Sequence, residues 1–101
     1  MAVSKSIALD NTVVQSKENI VGVMQGEKIV FSLNNGKYYN LGQTGTKIWD
    51  IIEVPVSVTH LVNTLTSEYE VESVECEGEV VSFLENLLEQ GLIIKGQNAN
   101  L

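Results

Sequence analysis

Residues 28–33 alternate between apolar and polar side chains, placing Ile29, Phe31 and Leu33 on one side, which is the period of a half-buried strand. Residues 37–41 resume after Asn34-Asn35-Gly36, so the two runs read as a β-hairpin. A two-residue loop would set Phe31 across from Tyr38 or Asn40 and scatter the apolar side chains over both faces. A three-residue loop with Gly36 in the left-handed conformation instead sets Leu33 against Lys37, Phe31 against Tyr39 and Ile29 against Leu41. That register leaves Tyr38 and Asn40 on the opposite face with Ser32, and it is the one expected. Upstream, residues 12–16 and 20–24 are short β-branched or apolar runs and candidate strands.

After Gly42 the period becomes helical. Ile48, Ile51 and Ile52 form a stripe flanked by Trp49, Thr44 is a candidate N-cap, and Pro55 forces a turn over residues 53–56. Ser57 caps a second helix with Val58, Leu61, Val62 and Leu65 on its buried side. A third helix over residues 74–90 carries Cys76, Val80, Phe83, Leu84, Leu87 and Leu88 on one stripe, and Gly91 ends it. Leu92, Ile93 and Ile94 then pack back as a terminal strand or extended segment. The order predicts an α+β domain, winged helix-turn-helix-like, with an N-terminal three-stranded antiparallel sheet packed on three helices. Residues 1–11 form an N-terminal segment, 12–95 the folded domain and 96–101 a flexible tail.

The chain has 101 residues, 44% of them hydrophobic, which suffices for one core. Residues 1–10 lack the apolar stretch and cleavage site of a secretory signal, and no apolar run has the length of a membrane span. A lone cysteine, Cys76, excludes an internal disulfide framework, and a cytoplasmic location is expected. Thirteen acidic against six basic residues give a net charge of −7, which opposes a phosphate backbone. The helix that would enter a DNA groove carries Glu75, Glu77, Glu79, Glu85 and Glu89 and no Lys or Arg, so neither nucleic acid nor membrane is expected as a partner. The run Glu68, Glu70, Glu72, Glu75, Glu77, Glu79 has two readings: a solvated helix start favoured by the helix dipole, or a field that attracts a basic peptide.

Catalytic chemistry is hard to find. His60 and Cys76 alone cannot supply an ordinary zinc ligand set, and Asp50 and Glu53 read as exposed carboxylates without a catalytic partner. Gly42-Gln43-Thr44-Gly45-Thr46 lacks the spacing and the lysine of a phosphate loop and reads as a strand-to-helix turn. No enzyme activity, metal or cofactor is therefore expected. The hairpin, however, ends at an edge strand beside an apolar third helix, an arrangement that suits an extended peptide added as a further strand.

The stretch from Val30-Phe31-Ser32-Leu33 through Asn34-Asn35-Gly36-Lys37-Tyr38-Tyr39-Asn40-Leu41-Gly42, then Thr44-Gly45-Thr46-Lys47-Ile48-Trp49, and later Phe83-Leu84-Glu85-Asn86-Leu87 with Gly91-Leu92-Ile93, resembles the PqqD-like family of peptide-recognition domains. In particular it resembles the discrete leader-recognition proteins of lasso peptide biosynthesis, over about residues 12–95; the family commonly has Leu-Asn where this chain has Leu41-Gly42. The resemblance implies a non-catalytic domain that holds the leader of a ribosomally made precursor peptide and delivers it to a leader peptidase and a macrocyclising enzyme. It maps the peptide onto Lys37, Tyr38, Tyr39, Asn40 and Leu41 as an added strand, with Val80, Phe83, Leu84 and Leu87 as the opposite wall. Leaders of other pathways, of the quinone-cofactor or sactipeptide type, are the alternative ligands, and a winged-helix DNA-binding protein the least favoured reading.

Overall fold

The strands form two three-stranded antiparallel sheets rather than one, the first from residues 11–15, 56–57 and 93–98 and the second from residues 19–24, 27–32 and 38–40. The computed structural model describes residues 7–17, 19–69 and 72–98. Along the chain lie β1 (Asn11–Gln15), β2 (Asn19–Met24), β3 (Glu27–Ser32), β4 (Tyr38–Asn40), α1 (Gly42–Ile51), β5 (Val56–Ser57), α2 (Val58–Tyr69), α3 (Ser73–Glu89) and β6 (Ile93–Asn98). The β2-β3-β4 sheet is the expected three-stranded one, and with three helices the domain is α+β and winged-helix-like.

The second sheet is the main addition. β1 is its central strand, with Val13 opposite Val56 on one side and Val14 opposite Ile94 on the other. The terminal segment is thus a full strand that continues to Asn98, past the expected start of a loose tail at residue 96. Residues 99–101, residues 1–6 of the N-terminal segment and Glu70 of the acidic run lie outside the described residues. Part of the N-terminal segment is anchored: Ile7 is buried and its N–H donates to Glu85 Oε2 at 2.9 Å.

The hairpin register differs from expectation. Phe31 lies opposite Tyr38, Val30 opposite Tyr39 and Ile29 opposite Asn40, so Val30 and Ser32 turn inward and are fully buried while Leu33 is exposed. The loop supplies the reason. Ser32 Oγ accepts the N–H groups of Asn34 (3.2 Å) and Asn35 (3.4 Å), Ser32 O accepts Gly36 N–H at 2.8 Å, and Asn35 Oδ1 accepts Lys37 N–H at 3.0 Å. This hydrogen-bonded four-residue turn needs the Ser32 side chain on the loop side, with Gly36 at φ 71°. Phe31 then meets Tyr38 edge-on at 5.1 Å between ring centroids on the outer face, which recovers part of the burial that the face as a whole forgoes.

The helices follow their periods. Val58, Leu61, Val62 and Leu65 of α2 are buried, and Ser57 Oγ accepts His60 N–H at 3.1 Å as the expected cap. α1 begins at Gly42 without a side-chain cap, so Thr44 lies within its first turn rather than ahead of it. Trp49 is not a flank but part of the core at 2% exposure, and Ile51 is only half-buried. At the end of α3, Gly91 (φ 80°) places its N–H on Leu88 O and the Leu92 N–H on Leu87 O, while the Leu92 and Leu87 side chains are both buried. Among the described residues no helix is long and apolar enough to cross a membrane.

Candidate peptide-binding site

In an antiparallel ladder, residues alternate between pairs that exchange hydrogen bonds and pairs that do not. Ser32 N–H donates to Lys37 O at 2.9 Å and Leu41 N–H to Lys28 O at 3.0 Å, which sets the alternation and makes Val30 and Tyr39 the bonded pair between them. The N–H and C=O groups of Tyr38 and Asn40 therefore point away from β3 along the open edge of β4.

The Tyr38 and Asn40 side chains are exposed on the outer face, where Asn40 Oδ1 accepts Gly42 N–H at 3.0 Å and steers the chain into α1. Tyr39 faces the other way. Its hydroxyl donates to Gln90 Oε1 at 2.7 Å and accepts from Asn35 Nδ2 at 3.0 Å, tying β4 and its loop to the end of α3. Lys37 is exposed at the end of the loop.

Where β4 ends, a groove of about 730 Å³ opens between the start of α1, the end of α2 and the N-terminal half of α3. Leu41, Ile48, Leu65, Val80 and Phe83 form its apolar lining, with Glu75, Glu79 and Tyr69 also bordering it. Gly45 sets the width: a Cβ there would lie 2.9 Å from Phe83 Cζ and 3.0 Å from Leu41 Cβ, so the bare backbone lets the Phe83 ring rest on α1. Of the residues read from the sequence, Leu41, Val80 and Phe83 line the groove. Leu84 and Leu87 do not: at 0% and 3% exposure they belong to the core, because the α3 stripe that packs against α2 and β6 leaves only one margin for a groove. Gly45, Leu65 and Tyr69 were not foreseen as groove residues, since they come from two helices whose approach to α3 no local period encodes.

Among the described residues that line the groove there is no Lys, Arg or His. The nearby Lys47 is engaged by Glu68 at 3.0 Å, whose hydrogen bond and then whose charge hold the ammonium above its ordinary pKa. Of the acidic run, Glu75 and Glu79 border the groove while Glu77 faces a separate hollow with Ile7 and Val81. Burial, followed by the Glu79 charge, pushes the Cys76 thiol up. The ensemble offers backbone hydrogen bonds at an open edge, continued by an apolar groove with an acidic border.

A comparison with protein families matches residues 27–93, β3 through the start of β6, to the family described as coenzyme PQQ synthesis protein D (PqqD). The chain belongs to the PqqD family. Its fold is shared with a solved structure described as "TbiB1 in Complex with the TbiA(beta) Leader Peptide", at 24% identity and a TM-score of 0.72, over 79% of this chain and 93% of that one. A search of curated proteins returned no match. The PqqD match contains β4, the groove and the whole of α3, but begins after β2.

Proposed function

We propose that this PqqD-family protein binds the leader segment of a ribosomally synthesised precursor peptide and is a recruiter, not a catalyst. The leader adds as a strand along β4 and seats an apolar side chain in the groove against Phe83 and Val80. The observation that carries this reading is the continuity of the open Tyr38–Asn40 edge, through Leu41, into the groove. Family membership and the fold shared with TbiB1, solved with a leader peptide, support it. Glu75 and Glu79 disfavour acidic leader side chains at the groove border.

The recipients of the bound leader are a leader peptidase and a macrocyclising enzyme of a lasso pathway, in the cytoplasm, where the buried Cys76 thiol stays reduced. Non-catalysis is supported by a cysteine that burial keeps protonated and by a histidine at the exposed start of α2. The family's description favours one other ligand, the leader of a quinone-cofactor precursor.

Titration calorimetry with synthetic leaders of both kinds, together with isotope-edited NMR, tests the reading. A lasso leader should shift the amides of residues 37–41, and Phe83→Ala should weaken it by about 1–3 kcal/mol. Unshifted amides together with wild-type affinity in folded Phe83→Ala would overturn it; tighter binding of the quinone-type leader would move the pathway.

A further inference from the structure

The other edge of the β2-β3-β4 sheet is longer and less protected than β4. β2 spans six residues, Asn19–Met24, with no charged side chain, no proline and an unbroken register against β3. Ile20, Val21, Val23 and Met24 are 56%, 41%, 69% and 62% exposed, so the strand shows apolar side chains on both faces. Edge strands are ordinarily shortened, bulged or charged to prevent pairing, and none of these devices is present. The leader-binding reading does not use this edge, and the PqqD match begins after it.

The hydrogen-bond phase of the edge follows from its turn. Gln25 (φ 56°) and Gly26 (φ 82°) form a two-residue hairpin turn, which makes Met24 and Glu27 a bonded pair, followed by Gly22 with Ile29 and Ile20 with Phe31. The N–H and C=O groups of Val21 and Val23 therefore point outward.

We propose that β2 pairs antiparallel with β2 of a second copy of this chain, about a two-fold axis at Gly22. In that register Val21 exchanges both backbone hydrogen bonds with Val23 of the second copy, and the reverse, while Ile20 faces Met24. Gly22 meets Gly22 at a non-bonded position, and a Cβ built at Gly22 touches nothing within 4 Å, so the crossing point is open to a neighbour. Centring on Val21 instead would set Asn19 against Val23 and Ile20 against a bare glycine. The edge is thus self-complementary in both bonding phase and side chains, as a two-fold contact between copies requires. The two sheets become one, with the two β4 edges at its far ends about 24 Å apart, both still open. Each copy carries a net charge of −7, so long-range repulsion opposes the pairing and salt strengthens it.

Sedimentation equilibrium of the whole chain, from micromolar to millimolar concentration at low and high salt, tests this. The mass should rise from one copy toward two, at lower concentration in high salt, and the Val21 and Val23 amides should gain protection from hydrogen exchange in parallel. Val23→Lys places a charge on an exposed edge position and should stay monomeric, with an unchanged melting temperature and unchanged leader affinity. A single-copy mass throughout, with Val21 and Val23 exchanging freely at the highest concentration, would overturn the proposal. Dimerisation of Val23→Lys equal to wild type would overturn it too, since another surface would then carry the contact. Leader binding is read separately, so neither outcome bears on the β4 site.

Discussion

The Tyr39 hydroxyl donates to Gln90 Oε1 at 2.7 Å and so joins the strand that borders the groove to the C-terminal end of the helix that walls it. The same oxygen accepts from Asn35 Nδ2, which draws the hairpin loop into the link. Tyr39→Phe keeps the ring and removes both bonds, and should lower stability by about 0.5–1.5 kcal/mol in urea denaturation. Gln90→Leu should have a similar effect, and the double variant should lose less than the sum, because both act on one bond. Strict additivity would show that the two groups do not interact in solution.

Asn40→Pro separates the open edge from the core. The Asn40 N–H points away from β3, so proline removes an outward donor and leaves the Leu41-to-Lys28 bond in place. It also removes the side-chain acceptor of Gly42 N–H, for which Asn40→Ala is the control. The proline variant should fold and bind leader more weakly than the alanine variant. Equal affinities in calorimetry would place the leader elsewhere.

Gly45→Ala has a sign that depends on Phe83. The new Cβ would meet the ring at 2.9 Å, and the strain of overpacking, about 1–3 kcal/mol, outweighs the gain in helix propensity of about 1 kcal/mol. The single variant should therefore melt lower than wild type. In a Phe83→Ala background the obstacle is gone, so the same change should raise the melting temperature. A destabilising effect in both backgrounds would mean that Leu41, also at 3.0 Å, sets the limit.

Cys76 reports on the groove it lines. Because burial holds its thiol above the ordinary range, the folded state retains the proton when the unfolded state loses it, and stability should fall as pH rises through the ordinary thiol pKa. Cys76→Ser should flatten that decline. Alkylation by iodoacetamide should be far slower in the folded protein than in urea, and slower still with leader bound. Alkylation indifferent to leader would argue that the peptide stops short of this end of the groove.

Local pattern was enough for α2 and for the end of α3. The Val58-Leu61-Val62-Leu65 period, Ser57 as a cap and Gly91 as a stop each act within a turn or two of chain, so they could be read from neighbouring residues alone. The presence of the hairpin and of an exposed Tyr38 and Asn40 was legible for the same reason. Its register was not: counting apolar side chains per face favoured Phe31 opposite Tyr39, but the Ser32 hydroxyl and the Tyr39–Gln90 bond placed Phe31 opposite Tyr38. The second sheet and the groove were likewise decided only in three dimensions. β1 finds β6 some eighty residues away, as Val14 meets Ile94, and the groove exists because α1, α2 and α3 converge where Gly45 lets Phe83 lie against the backbone. Periodicity states which face of an element is apolar, whereas the partner of that face is chosen by the packing of the whole chain.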